Sequence, residues 1–260
     1  MIARRLVSRP VSTIGTLIAP RVTQEEGPRI VTEGLVGHWD AGNPYSYPGT
    51  GTTWTDLSGN GNNGTLENGP TYGADRSGVV VFDGTNDYVN LGNGASLNIT
   101  DNASITAIVY IPADYGNPNG FQTIVAKRVN DSSFRTNYGL AYAPPSNVLY
   151  AYYNTNNFFR VCSVDLTANI APSNWYILTA TFAKSGSNTV VSIYKNSTIL
   201  TAQTFANNLA PCSANAQIGA FGGTNEPITG SIALVSIYNR ALSPSEVTQN
   251  FNATRGRFGL

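Results

Sequence analysis

Gly230-Ser231-Ile232-Ala233-Leu234-Val235-Ser236-Ile237-Tyr238-Asn239-Arg240-Ala241-Leu242-Ser243 runs directly into Pro244-Ser245-Glu246-Val247. Gly230–Tyr238 is rich in apolar and β-branched residues and reads as a strand. Ser243 then stands where a helix N-cap belongs. Pro244 takes the first helical position, where its missing N–H costs nothing, and Glu246 reaches back to the N-cap amide to complete a capping box. Val247 and Phe251 are one turn apart and share a face that packs onto a sheet edge. Gly256 falls where a left-handed stop is expected, which predicts a closing helix of about ten residues.

Upstream of this strand and helix, the pattern is β throughout. Ile105, Ala107, Val109 and Ile111 alternate with Thr106, Ile108 and Tyr110 with few polar interruptions, so this strand is central and covered on both faces. Val79–Phe82 and Tyr88–Leu91 flank the turn Asp83-Gly84-Thr85-Asn86. A strand begins near Glu33 and runs through Trp39. Further strands are predicted at Gln122–Lys127, Tyr138–Ala143, Val148–Tyr153, Phe158–Val164, Trp175–Phe182, Thr189–Lys195, Ile199–Phe205 and Gln217–Ala220. Spacings of about 8–12 residues, joined by Asn/Gly turns, mean a sandwich or barrel and argue against βαβ units. Asn-Gly steps such as Asn60-Gly61, Asn63-Gly64 and Asn68-Gly69 supply the positive φ angles that tight turns need.

Composition agrees and excludes other classes. Of 260 residues only 12% are charged, while 14 Tyr, 10 Phe and 3 Trp give 10% aromatics. A disordered chain would carry more charge and fewer aromatics. Fifteen basic and fifteen acidic residues leave no net charge, so the basic surplus of a nucleic-acid binder is missing. The longest apolar runs, such as Val79–Phe82, are far too short to span a membrane as a helix.

His38 is the only histidine. This removes two-histidine metal sites, and a serine triad would have to use His38, with no G-x-S-x-G elbow to accompany it. Beside Trp39 at a strand start, His38 reads as a packed or turn residue. Cys162 and Cys212 lie fifty positions apart, without C-x-x-C spacing. They are either a disulfide between adjacent strands or two buried thiols.

The first 33 residues differ from the rest. Arg4, Arg5, Arg9 and Arg21 precede any acidic residue, among small and β-branched residues and prolines. The division expected is an extended basic arm over 1–33 and a β-sandwich over 34–260. The arm is expected to lie against another surface, a neighbouring subunit; the alternative is an arm packed along its own sandwich. Four arginines over 21 positions form no dense stripe, so acidic protein surface suits them at least as well as nucleic acid.

Three stretches carry a family resemblance. Trp54-Thr55-Asp56-Leu57-Ser58-Gly59-Asn60-Gly61-Asn62-Asn63-Gly64-Thr65 is similar to a W-x-D-x-S-G-N-G-N-x-G segment. Val81-Phe82-Asp83-Gly84-Thr85-Asn86-Asp87-Tyr88-Val89 is similar to F-D-G-x-x-D-Y-V. Gly230–Ser243 is similar to G-x-I-D-x-V-x-I-Y-N-R-A-L-S. Together, in this order, they resemble laminin-G-like domains of the concanavalin A-like lectin/glucanase superfamily, over about Gly34 to Phe258. The resemblance implies an all-β jelly-roll sandwich of two antiparallel sheets. The wording of the motifs, with the tail Phe251–Phe258, resembles virion proteins of tailed bacteriophages. It implies a structural protein of the virion, a capsid decoration protein held to other virion proteins by its arm, and a homo-oligomer. The alternative is a carbohydrate-binding adhesin of the tail or baseplate, with a cell-surface glycan as partner.

The departures from the family pattern also matter. Ala233 replaces the usual acidic residue. The glucanase branch carries its catalytic carboxylates as E-x-D-x-x-E, and nothing here matches: the six glutamates (25, 26, 33, 67, 226, 246) are scattered. A glycosidase needs two carboxyls flanking the bond, so the expectation is a non-enzyme.

Two constellations remain. Asp56, Asn60 and Asn62 offer hard oxygens that would suit Ca²⁺, the one cofactor to be considered, although a single carboxylate is sparse for that ion. The competing reading is that Asp56 caps local amides while the asparagines serve the turns. Tyr150, Tyr152, Tyr153 and Phe158, with Phe159, flank Asn154-Thr155-Asn156-Asn157. Aromatic faces beside an amide such as that of Asn156 suit sugar rings. Alternation places Tyr150 and Tyr152 on one face and Tyr153 on the other, so one face is core and the other contact surface, with the assignment open. Trp39, Trp54 and Trp175 read as packing residues.

Overall fold

The computed structural model describes residues 28–113, 120–130, 135–144, 146–155, 158–165 and 171–260. Its strands are β1 (Leu35–Asp40), β2 (Thr53–Trp54), β3 (Gly64–Glu67), β4 (Thr71–Gly73), β5 (Val79–Asp83), β6 (Tyr88–Gly92), β7 (Ala103–Ile111) and β8 (Gln122–Arg128). They continue as β9 (Thr136–Ala143), β10 (Val148–Thr155), β11 (Phe158–Asp165), β12 (Asn174–Ser185), β13 (Asn188–Lys195), β14 (Thr198–Ala206), β15 (Ala216–Ile218) and β16 (Thr229–Tyr238). One helix, α1 (Pro244–Phe258), follows.

These strands form two eight-stranded antiparallel sheets. The first runs β14-β13-β12-β7-β16-β5-β4, with β1 also on β16; the second runs β11-β10-β9-β8-β15-β6-β3-β2. Alternation sends one side of the longer strands into a shared core containing Trp39, Trp54, Phe82, Val125, Tyr138, Leu140, Tyr153, Phe182 and Val235. The sandwich is a jelly roll, as the family resemblance implies, and one of the two architectures, sandwich or barrel, that the strand spacing allows. β7 lies between β12 and β16 and is buried along almost its whole length, the central position that its apolar run, interrupted only by Ser104 and Thr106, requires.

The outer face of the first sheet is covered. Phe258 of α1 packs on Trp175, ring centroids 5.0 Å apart, in a cluster with Val79, Ile108, Ile177, Ala233 and Leu234. Ala233 is fully buried there, beside a register shift, and an acidic side chain at this position would be desolvated against apolar neighbours. The helix is longer than the sequence predicts. Gly256 stays helical, and Gly259, at φ 71°, makes the left-handed stop. Tertiary anchors beyond Gly256 explain this: Phe258 on Trp175, and Arg257 paired with Asp40. The capping box at Ser243 and Glu246 is present. Glu246 also grips Arg240 through two charge-assisted bonds of 2.6 and 2.9 Å, which is what the Asn239-Arg240-Ala241-Leu242-Ser243 motif encodes.

The described part of the leader is fastened to its own body. Val31 is buried against Tyr194, Tyr238, Leu242 and Val247; its N–H donates to Asn250 Oδ1 (2.7 Å), and its carbonyl accepts from the Tyr238 hydroxyl (3.0 Å). Gln249 donates to the Arg29 carbonyl, and Arg240 Nε to that of Glu33. Residues 29–33, placed in the arm by the sequence, thus contact α1, β13 and β16 of the same chain. Arg4, Arg5, Arg9 and Arg21 lie outside the described residues.

Candidate functional site

The outer face of the second sheet carries the site. Strand pairing sets it up: Tyr152 lies opposite Val161 on β11 and Gly139 on β9, and Asn154 lies opposite Phe159. Tyr150, Tyr152 and Asn154 thus share a face with Phe159 and Val161. Gly139 is required here, since a Cβ at this position would meet the Tyr152 ring at 2.3 Å. The ring lies over the bare backbone and stacks on Phe159 at 5.3 Å. Phe121 meets Tyr150 edge-on at 4.9 Å. Phe121, Tyr150, Tyr152, Phe159 and Val161, with Arg128 and Glu226, enclose a recess of about 170 Å³. Phe121 and Phe159 are 44% and 42% exposed, so they form an apolar lip open to solvent.

The charged pair is held by the fold. Arg128 ends β8 and lays its guanidinium over Phe221 at 4.1 Å, Phe159 at 5.3 Å and Tyr152 at 5.8 Å. Glu226 adopts a left-handed backbone (φ 52°). Its carbonyl accepts from the Thr123 N–H at 2.8 Å, and this brings its carboxylate to 3.6 Å from Arg128. The Thr123 hydroxyl donates to the same carboxylate. Burial raises the Glu226 pKa, against the opposing pull of Arg128 and Thr123. Burial also pushes the Tyr152 phenol up to about 12; Glu226 adds to this, and Arg128 and Thr123 oppose it. The Tyr152 hydroxyl and both amide atoms of Asn154 are buried and make no hydrogen bond among the described residues.

The placement of each predicted residue follows. Tyr150 and Tyr152 line the recess. Tyr153 does not: it is fully buried in the inter-sheet core, edge-on to Phe182, with its hydroxyl donating to the Asn207 carbonyl. This corrects its reading as a contact residue and settles which face is core. Asn156 and the side chain of Phe158 lie outside the described residues. Sequence reasoning did not assign Phe121, Arg128, Phe221 or Glu226. Arg128 and Glu226 are 98 positions apart, and only the pairing of β8 with the loop before β16 joins them.

The Asp56 loop is a hydrogen-bond hub. Oδ1 accepts from the His38 and Ser58 amides (2.9 and 2.8 Å), and Oδ2 from the Ser58 hydroxyl and the Asn62 amide (2.8 and 3.0 Å). Asn62 Nδ2 donates to the Val36 carbonyl and Ser96, and Asn60 Nδ2 to the Leu35 carbonyl and Ser58. A cation at Asp56 would have to displace these donors. The His38 ring is hydrogen-bonded to Ser236 at 2.8 Å, and burial lowers its pKa. Trp39, Trp54 and Trp175 are buried, and Cys162 and Cys212 are separate buried thiols.

Residues 83–248, well over half of the chain, match the laminin G type 3 family of the concanavalin A-like lectin/glucanases superfamily. No curated protein matches in sequence. Among solved structures, the binding domain of Paraclostridial Mosquitocidal Protein 1 superposes with a TM-score of 0.66 at 17% identity, over 85% of this chain and 52% of that one. Domain 4 of AbnA, a GH43 extracellular arabinanase from Geobacillus stearothermophilus in complex with arabinotriose, gives 0.60 at 18% identity, covering 84% and 98%. The receptor binding domain of botulinum neurotoxin type G gives 0.61 at 15% identity, covering 84% and 51%. At these identities the likeness is one of fold, and this chain spans about half the length of the two toxin chains. With sheet order, motif positions and sequence match in agreement, the chain belongs to the concanavalin A-like lectin/glucanases superfamily.

Proposed function

We propose that this protein is a non-catalytic carbohydrate-binding module, and that sugar docks on the outer face of the second sheet. The observation that carries the reading is the recess itself: four aromatic side chains surround a paired Arg128 and Glu226 on a sheet face that no helix among the described residues covers. Sugar C–H faces stack on Phe121, Tyr150 and Phe159, while ring hydroxyls donate to Glu226 and accept from Arg128. AbnA domain 4, of the same fold, was solved with arabinotriose, which adds weight. Glu226 is the only carboxylate among the described residues lining the recess, and glycoside hydrolysis calls for two, which supports the non-catalytic reading.

In the finer reading the module is a structural component of a tailed-phage particle, a capsid decoration protein or a tail or baseplate adhesin. The three sequence motifs and the Arg-bearing leader support this. Display in many copies would raise effective concentration and turn weak single-site binding into avidity. The test of the sugar site is a glycan array probed with the wild type and with Tyr150→Ala. Binding by the wild type that falls at least tenfold in the variant, with an unchanged melting temperature, supports the site. Absence of any glycan binding, or equal binding by both proteins, contradicts it. For the particle, deletion of residues 1–27 is expected to abolish incorporation while leaving a folded sandwich. Incorporation of the truncated chain would overturn the anchoring role.

A further inference from the structure

Beyond Arg128 the same sheet face holds a second recess, of about 330 Å³, over β8, β15 and β6. Its character is different. Tyr88, Asn90, Asn130, Asn215 and Gln217 line it, with the unobstructed backbone of Gly223. Ala216 and Ile218 point into the core, so Gln217 points outward; Val89 and Leu91 do the same for Tyr88 and Asn90. Arg128 lines both recesses, and with Phe221 beneath its guanidinium it forms the ridge between them. The loop bearing Asn215 is pinned from below: the fully buried Lys127 donates to the Ala214 carbonyl and, at 2.5 Å, to Asn93 Oδ1.

Resting on the sugar-binding reading above, we infer that this polar recess is a second subsite, so that the chain takes an uncharged oligosaccharide of at least two rings lying across β10, β9, β8 and β15. Size is the first argument. The aromatic recess alone, about 170 Å³, falls below the roughly 300–1,000 Å³ usual for ligand sites, and the polar recess across Arg128 adds about 330 Å³ beside it, room for a further ring. The span is the second. From β10 to β15 is three interstrand spacings, about 14 Å, which needs more than one ring. Chemistry is the third. One recess offers stacking faces and the other amides, which suits one sugar ring held by its C–H face and a neighbour held by its hydroxyls. Charge excludes acidic sugars. Arg128 is already paired with Glu226, and Glu67, opposite Tyr88 in register, adds a second carboxylate at the far end. A sugar carboxylate would meet two like charges and no unpaired cation among the lining residues.

The experiment is calorimetric and NMR titration with a ladder of one to four rings of the neutral glycan selected on the array, beside a carboxylated oligosaccharide of equal length. Asn130→Ala/Asn215→Ala is the test variant. Both side chains are exposed at the recess, so the fold is expected to be retained. Two or three rings are expected to bind at least tenfold tighter than one, and the variant to lose that gain while keeping single-ring affinity. The carboxylated sugar is expected to bind at least tenfold more weakly. Equal affinity for one ring and three, an unaffected variant, or preference for the acidic sugar would overturn the second subsite. If Tyr150→Ala alone abolishes binding under those outcomes, the first recess stands and only the extension fails. If no ladder member binds, both fail.

Discussion

Tyr152 and Tyr153 are adjacent in sequence and opposite in role, because a strand turns successive side chains to opposite faces. Tyr153 fills the core; truncating it to Ala is expected to cost about 3–5 kcal/mol, as for other buried aromatics. Tyr150 is half-buried at the recess, and Tyr150→Ala is expected to change stability by less than about 1 kcal/mol. Urea denaturation of the two variants checks the pair, and similar losses would contradict the assignment of faces. Asp56 makes a second test at this scale. With four protein donors on its carboxylate, Asp56→Ala is expected to cost about 3 kcal/mol, whereas chelation of divalent cations should leave the melting temperature unchanged. A fall in melting temperature on adding EDTA would show that a cation does hold this loop.

At the scale of elements, α1 and its cap tie the leader segment, β16 and the covered sheet together. The Arg240 bond holds the Glu246 carboxyl down to about 2 from an ordinary value of 4.5. A carboxyl depressed in the folded state adds stability that is complete above about pH 4.5 and is lost as pH falls toward 2. Glu246→Gln should therefore destabilise the protein at pH 7 and match the wild type near pH 2; an equal difference at both pH values would contradict the pairing. The same elements show what can be read from sequence alone. A nearly continuous apolar run marked β7, and the Ser243-Pro244-Ser245-Glu246 signature marked the start of α1. The end of α1 was misjudged at Gly256 because Phe258 and Arg257 find partners 83 and 217 positions away, and no local signal reports such contacts. β2, β3 and β4, of two to four residues, are too short to show a period. Half of the recess was visible in the aromatic run from Tyr150 to Phe159. The other half, Arg128 and Glu226, is assembled only when β8 and the loop before β16 meet.

Taken as a whole molecule, the sandwich is asymmetric. One outer face packs α1 around Trp175 and Phe258, and among the described residues the other carries aromatic and amide recesses on either side of Arg128. Natural domains seldom leave clustered aromatic side chains facing water unless something binds there, and here the fold spends Gly139 and a left-handed Glu226 to build the surface. The most direct test is to record backbone amide shifts of the isotope-labelled chain during titration with the array-selected neutral oligosaccharide. The account predicts saturable shifts at Phe121, Arg128, Tyr150 and Phe159, extending to Asn215 and Gln217, and none along α1. Shifts confined to the α1 face, or none at any sugar concentration, would contradict it.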